Sequence, residues 1–240
     1  MGLEYIERNL NDVRAKIRDA EHRAGRAEGS VELIAAVKYA EPEEIAELCR
    51  LGVYALGENR VQQLLAHYEA LECAERVQWH FIGSLQTNKV KYIIDKVCMI
   101  HSLDSDRLAQ EIDRQAKKRG IVMDVLVEIN SGEEESKGGV LPSEVADFCL
   151  GLSQYSNLRL RGFMTMAPKC EKKEDYLKYF QQTYEQVLDI WTKKLHNINR
   201  MGEVDRSEKP ILSMGMSESF EEAIACGSDM VRVGRGLFLH

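Results

Sequence analysis

The chain has 240 residues, 44% of them hydrophobic and 30% charged, the balance of an ordinary globular protein with room for one large core. No stretch approaches the roughly 18 consecutive apolar residues of a membrane span. A formal net charge of -7 excludes a general nucleic-acid binder, which needs a basic face for the phosphate backbone. Cys49, Cys73, Cys98, Cys149, Cys170 and Cys226 form no C-x-x-C pair and read as reduced, mostly buried thiols rather than a zinc site or a disulfide framework.

The chain opens with Leu3, Ile6, Leu10, Val13 and Ile17 at three- and four-residue steps, an amphipathic helix that runs out at Gly25 to Gly29. Its acids are foreign to a signal peptide, so the protein is expected to stay in the cytoplasm where it is made. Short β-rich runs then recur at 31–37, 53–57, 77–82, 98–103, 122–129, 158–164, 210–214 and 229–233. Helical patterns separate them. Pro42 opens one whose apolar face is Ile45, Leu48 and Cys49, and Gly52 stops it. Ser105, Leu108, Ile112, Ala116 and Gly120 repeat that logic, with Lys117, Lys118 and Arg119 complementing the helix dipole. Ser143, Val145, Phe148 and Leu152 do so again.

Eight strand-helix alternations predict a single α/β domain over 1–240, a closed (β/α)₈ TIM-type barrel with an extra N-terminal helix. A doubly wound open sheet is the runner-up on pattern alone. The polar stretch 131–141 follows a strand and reads as a flexible loop at the mouth. The segment 200–209 precedes a strand and is expected on the opposite, inert face.

Lys38 ends the first strand and shares a strand face with Ile34 and Ala36. An inward Lys38 would sit at the C-terminal mouth over apolar residues, where desolvation disfavours the ammonium and suits a Schiff-base lysine. The bland alternative is a surface lysine opening a loop. Ser213-Met214-Gly215-Met216-Ser217 joins a strand to a helix, with Ser217 placed to cap it, and Gly234-Arg235-Gly236 offers open backbone N–H groups after the last strand. Loops seven and eight of such barrels commonly hold a phosphate, although Gly and Ser also serve as plain turns. An inward Arg232 must pair with a carboxylate or a ligand. Asn59 ends the second strand, where it could contact a planar ligand. His80 shares a face with Gln78 and Ile82, and a lone histidine there is more often structural than catalytic. Trp79 and Phe81 on the other face are expected to pack against helices.

Trp79-His80-Phe81-Ile82-Gly83-Ser84-Leu85-Gln86-Thr87-Asn88-Lys89 closely resembles the signature of the pyridoxal phosphate homeostasis proteins (the YggS/PROSC family). Gly57-Glu58-Asn59-x-x-Gln62, Ser213 to Ser217, and Arg232-x-Gly234 match its other blocks in order, so the resemblance spans essentially the whole chain. It implies a fold like the N-terminal barrel of bacterial alanine racemase and pyridoxal 5′-phosphate as cofactor. Carried over by position, Lys38 is the aldimine lysine and Asn59 lies beside the ring. Ser217 with the backbone of Gly234 and Arg235 holds the phosphate, and Arg232 faces the pyridine nitrogen. His80 and Ser213 complete the expected cofactor-binding set, with no catalytic or metal-binding residues. Val37 and Ser219 depart from residues common in relatives, Ser or Thr before the lysine and an acid after the S-M-G-M-S block. Neither departure removes a cofactor contact.

Two readings of different class follow. In one, the protein is a cytoplasmic, non-catalytic carrier that holds and delivers the cofactor to apoenzymes, as a monomer without nucleic-acid or membrane partners. In the other it is an amino-acid racemase. An arginine beside the ring nitrogen disfavours the protonation on which the cofactor's electron-sink chemistry depends. The tyrosine domain of racemases is also not found before the chain ends at His240, so the carrier is favoured. A lysine-dependent aldolase on the same barrel leaves Arg232 unexplained.

Overall fold

The computed structural model describes residues 2–132, 138–195 and 209–239. Its strands are β1 (Glu32–Ala36), β2 (Ala55–Glu58), β3 (Gln78–Phe81), β4 (Met99–Leu103), β5 (Met123–Ile129), β6 (Leu158–Thr165), β7 (Ile211–Met216) and β8 (Met230–Val233). Each pairs in parallel with the next, and β8 returns to β1 with Arg232 opposite Ile34, closing the barrel. That closure rules out the open doubly wound sheet, which keeps two free edges.

One helix follows each strand. After α1 (Glu4–Arg23), which precedes the barrel, come α2 (Pro42–Arg50), α3 (Val61–Ala70), α4 (Val90–Ile93) and α5 (Asp106–Arg119). The second half carries α6 (Val145–Gly151), α7 (Lys173–Asp189), α8 (Phe220–Ala225) and α9 (Arg235–Phe238), with α7 running on into a π-helical turn over Ile190–Leu195. No helix among the described residues is long and apolar enough to cross a membrane.

Local chemistry sets the ends. At α2, Glu41 and Glu44 form a reciprocal capping box with Pro42 at the first helical position. At α5, Gly120 takes φ +67 and releases the chain after three basic residues. The helix expected to open at Ser143 begins instead at Val145, with Glu144 in the N-cap position.

The two strand faces divide the core. Outward residues such as Leu56, Trp79, Phe81, Ile100, Val127 and Phe163 are buried among the helices, each contributing roughly 1.5–3 kcal/mol of burial. Trp79 and Phe81 therefore pack as expected. Inward Ile34, Ala55, Met99, Leu126, Met164 and Met230 form a separate apolar plug inside the barrel. Other inward positions are polar, His80 and Ser213 level with the plug residues Met99 and Met230, and with His101, Glu128 and Arg232 all are buried. Three of the six cysteines are buried, Cys73 and Cys170 are intermediate and Cys98 is exposed, fewer buried thiols than the sequence suggested.

Helix α1 ties the two chain ends together. It lies against α8 and α9, and Asn9 Nδ2 donates to the carbonyls of Leu237 at 3.2 Å and Leu239 at 2.7 Å.

Candidate functional site

A cavity of about 1080 Å³ opens beyond the C-terminal ends of the strands, its rim reached by Leu3 and Tyr5 at the start of α1. Lys38, Asn59, Ser217, Arg232, Gly234 and Arg235 all line it. The fold thus brings together Arg232 of β8 and residues just beyond the C-terminal ends of β1, β2, β7 and β8, up to 197 positions apart. His80 and Ser213 do not line the cavity. They lie beneath it, inside the barrel.

Strand β1 stops at Ala36, two residues short of Lys38. Val37 N–H still donates to the Gly57 carbonyl at 3.0 Å, and Gln63 Nε2 donates to the Lys38 carbonyl at 2.7 Å. These bonds hold the turn while the lysine side chain stays half-buried, its ammonium 5.1 Å from the centre of the exposed Tyr39 ring. Asn59 follows β2. Its N–H donates to Glu58 Oε2 at 3.0 Å, and Glu58 Oε1 lies 2.9 Å from His67 Nδ1 beneath α3. The Asn59 Oδ1 atom is buried with no hydrogen-bond partner among the described residues.

Ser217 does not cap α8. Ser219 takes the N-cap position, its hydroxyl accepting from Met216 N–H at 3.3 Å. The Ser217 hydroxyl instead accepts from Gly234 N–H at 3.3 Å and Gly236 N–H at 3.4 Å, bridging the loops after β7 and β8. Side-chain room at Gly234 is small, since a Cβ there would stand 3.1 Å from the Ala36 carbonyl oxygen. The Arg235 side chain turns outward to Glu218 at 2.8 Å, which leaves its backbone at the cavity wall.

Arg232 is 4% exposed. It donates to Ser213 Oγ at 2.7 Å and to the Thr165 carbonyl at 3.0 Å. Burial lowers its guanidinium to about 10, opposed by the attraction of Glu128. The Glu128 carboxyl is in turn pushed up to about 7 by burial and by Asp104, against the pull of Arg232. The carboxylate that an inward arginine demands is therefore present, as an electrostatic neighbour rather than a hydrogen-bonded partner.

Sequence reading passed over His101, Glu128 and Thr165, and met Gly83 only as one residue of the family signature. Period-two alternation could have found the first two, because His101 shares a strand face with Met99 and Glu128 shares one with Leu126. Thr165 contributes a carbonyl, which no side-chain pattern marks. Residues 133–137 lie outside the described residues, as does most of the segment 200–209. Among them is Lys137, which reads in sequence as a solvated lysine of the mouth loop or a transient acceptor of the aldehyde.

The family model for the alanine racemase N-terminal domain matches residues 8–240. The pyridoxal phosphate homeostasis protein of Aquifex aeolicus is 43% identical over 229 residues, covering 95% of each chain. An unknown protein from Bifidobacterium adolescentis has a similar structure, with a TM-score of 0.87 and 34% identity over 98% of this chain and 95% of that one. PipY of Synechococcus elongatus, solved with pyridoxal phosphate bound, gives a TM-score of 0.81 and 27% identity over 97% of this chain and 99% of its own.

Proposed function

The chain belongs to the pyridoxal phosphate homeostasis protein family, built on the alanine racemase N-terminal barrel, and from that premise we propose that it holds pyridoxal 5′-phosphate as a Schiff base on Lys38 and passes it on without turning over a substrate. The observation that carries this reading is the meeting of Lys38, Asn59, Ser217 and Arg232 on the wall of one cavity. When bound, the cofactor supplies an aldehyde and an electron-sink ring.

The residues present fit that group. Lys38 offers a primary amine on an anchored turn. Asn59 carries a buried oxygen with no partner among the described residues, a cost that a polar ligand atom beside it would relieve. The N–H groups of Gly234 and Gly236 already converge on one oxygen, that of Ser217, the donor arrangement a phosphate takes up in backbone nests. Arg232 brings a buried cation to the side of the cavity assigned to the ring nitrogen. Two adjacent cations repel, so Arg232 holds the proton off that nitrogen and damps amino-acid chemistry. This supports a carrier over a racemase, with pyridoxal-phosphate-dependent apoenzymes as recipients and one cofactor-binding domain over 1–240.

The test is an absorbance spectrum of the loaded protein, followed by borohydride reduction and peptide mass spectrometry. The expected result is a yellow protein whose reduced adduct maps to Lys38 and vanishes in Lys38→Ala. An adduct of equal yield in Lys38→Ala would show that the lysine is misassigned, and robust turnover of an amino acid by the wild type would overturn the carrier reading.

A further inference from the structure

Below the cavity, the barrel interior holds an unbroken file of polar atoms of which only the first, on Arg232, serves cofactor binding as described above. Arg232 Nη1 lies 2.7 Å from Ser213 Oγ, which lies 3.1 Å from His101 Nδ1. His101 Nε2 is 2.9 Å from His80 Nδ1, and His80 Nε2 is 3.5 Å from Cys98 Sγ. Cys98 Sγ ends the file 3.3 Å from the Trp79 carbonyl, at the exposed start of β4 and the opposite end of the barrel. Between the two ends, His80, His101 and Ser213 are 3%, 0% and 0% exposed, so water offers them no alternative partners.

Elementary donor counting gives the file a direction. A guanidinium carries donors only, so Ser213 Oγ accepts from Arg232, and because His101 Nδ1 is its only other partner among the described residues, the buried hydroxyl hydrogen is satisfied only by pointing there. A neutral imidazole has one donor and one acceptor. With Nδ1 accepting, His101 bears its hydrogen on Nε2 and donates to His80 Nδ1. His80 then bears its hydrogen on Nε2, facing the Cys98 sulfur, and the thiol hydrogen goes to the Trp79 carbonyl. Each of the five contacts is satisfied by this assignment. Burial, which pushes His80 down to about 4 and His101 well below the ordinary histidine value, keeps both rings neutral at pH 7 as the assignment requires.

We propose that His101, backed by His80, is a positioning residue for Arg232: the file runs one way, from guanidinium to thiol, and presents Ser213 to Arg232 as an acceptor, so that the guanidinium stays at the side of the cavity where the cofactor's ring nitrogen lies. Only the last clause rests on the cofactor reading. Run in reverse, Arg232 and His101 would both donate to Ser213 Oγ, and the serine's own hydrogen, buried with no further acceptor among the described residues, would be left unpaired. The arginine thus sets the tautomers of two rings behind it, and the rings in turn fix the arginine.

The first measurement uses ligand-free protein labelled with ¹⁵N-histidine, read by long-range ¹H–¹⁵N correlation at neutral pH. Both rings should carry hydrogen on Nε2 in the wild type and in Arg232→Lys, which keeps a donor. Arg232→Ala and Ser213→Ala each remove the obligate donor's hold and should yield mixed tautomers. Hydrogen on Nδ1 of either ring in the wild type, or unchanged tautomers in both alanine variants, would overturn the proposal. The second measurement uses loaded protein. His101→Asn keeps an acceptor for Ser213 and should leave the absorption maximum in place, with affinity changed by no more than about twofold. His101→Leu, which orphans Ser213, should shift that maximum and weaken binding about tenfold. Identical behaviour of the two variants would also overturn it. Failure of the wild type to bind the cofactor would sink the cofactor reading alone, since the tautomers are read without ligand.

Discussion

Gly83 lies so close to Asn59 that a Cβ added to it would stand 2.2 Å from the Asn59 carbonyl oxygen and 2.7 Å from its Cα. The loop after β3 therefore butts against the backbone that aims Asn59 into the cavity. Gly83→Ala should push the two loops apart, costing about 1–3 kcal/mol in urea denaturation and lowering cofactor loading. A variant as stable as wild type would show that the loop yields freely and that the contact does not position Asn59.

Arg232 controls the charge beneath the cavity. Arg232→Glu removes donors to Ser213 and Thr165 and sets a second buried carboxylate near Glu128, so one of the two should hold a proton at neutral pH. The expected cost is about 2–4 kcal/mol, from lost bonds to a charged group and the new buried acid. In loaded protein, an anion beside the ring nitrogen favours its protonation, and a trace of transaminase or racemase activity is expected from the variant and none from the wild type. Amino-acid assays on both proteins check it.

Stability should depend on pH through the interior histidines. Burial holds His80 at about 4 in the fold, against 6.5 for the ordinary residue. Between those values the unfolded chain binds a proton that the fold does not, so stability falls as pH drops from 6.5 through 4. A gap of that size is worth about 3 kcal/mol, and His101 adds in the same direction. Glu128, raised to about 7, works oppositely and gains stability as pH falls from 7. The comparison that isolates His80 is wild type against His80→Gln in urea at several pH values. The wild type should lose about 3 kcal/mol more than the variant on going from neutral pH to about 4. Parallel pH curves would show that His80 is not held neutral.

The two chain ends depend on Asn9. Its amide donates to both Leu237 and Leu239 carbonyls, so Asn9→Ala should cost about 1–2 kcal/mol and loosen α9, whose N-cap Gly234 and first residue Arg235 line the cavity. Hydrogen exchange at residues 234–239 checks this, with faster exchange confined to that segment as the expected pattern.

Much of this protein is written locally in its sequence. Apolar spacing of two and of three to four residues marks the strands and helices, and Pro42, Gly52 and Gly120 punctuate them, because those features depend only on backbone sterics and near neighbours. The same alternation puts Arg232 on an inward face, whereas Lys38 lies two residues past the end of its strand. Tertiary structure alone decided which inward residues meet. His80 reads along the chain as a solitary histidine, and Ser213 as the start of a turn motif. Barrel closure between β1 and β8, and the stagger of the intervening strands, set both against His101, 112 residues from the serine it contacts. Ser217 likewise passes from a helix cap to a bridge between two loops. Such contacts are fixed by register across the barrel, a property of eight strands jointly that no single stretch of sequence contains.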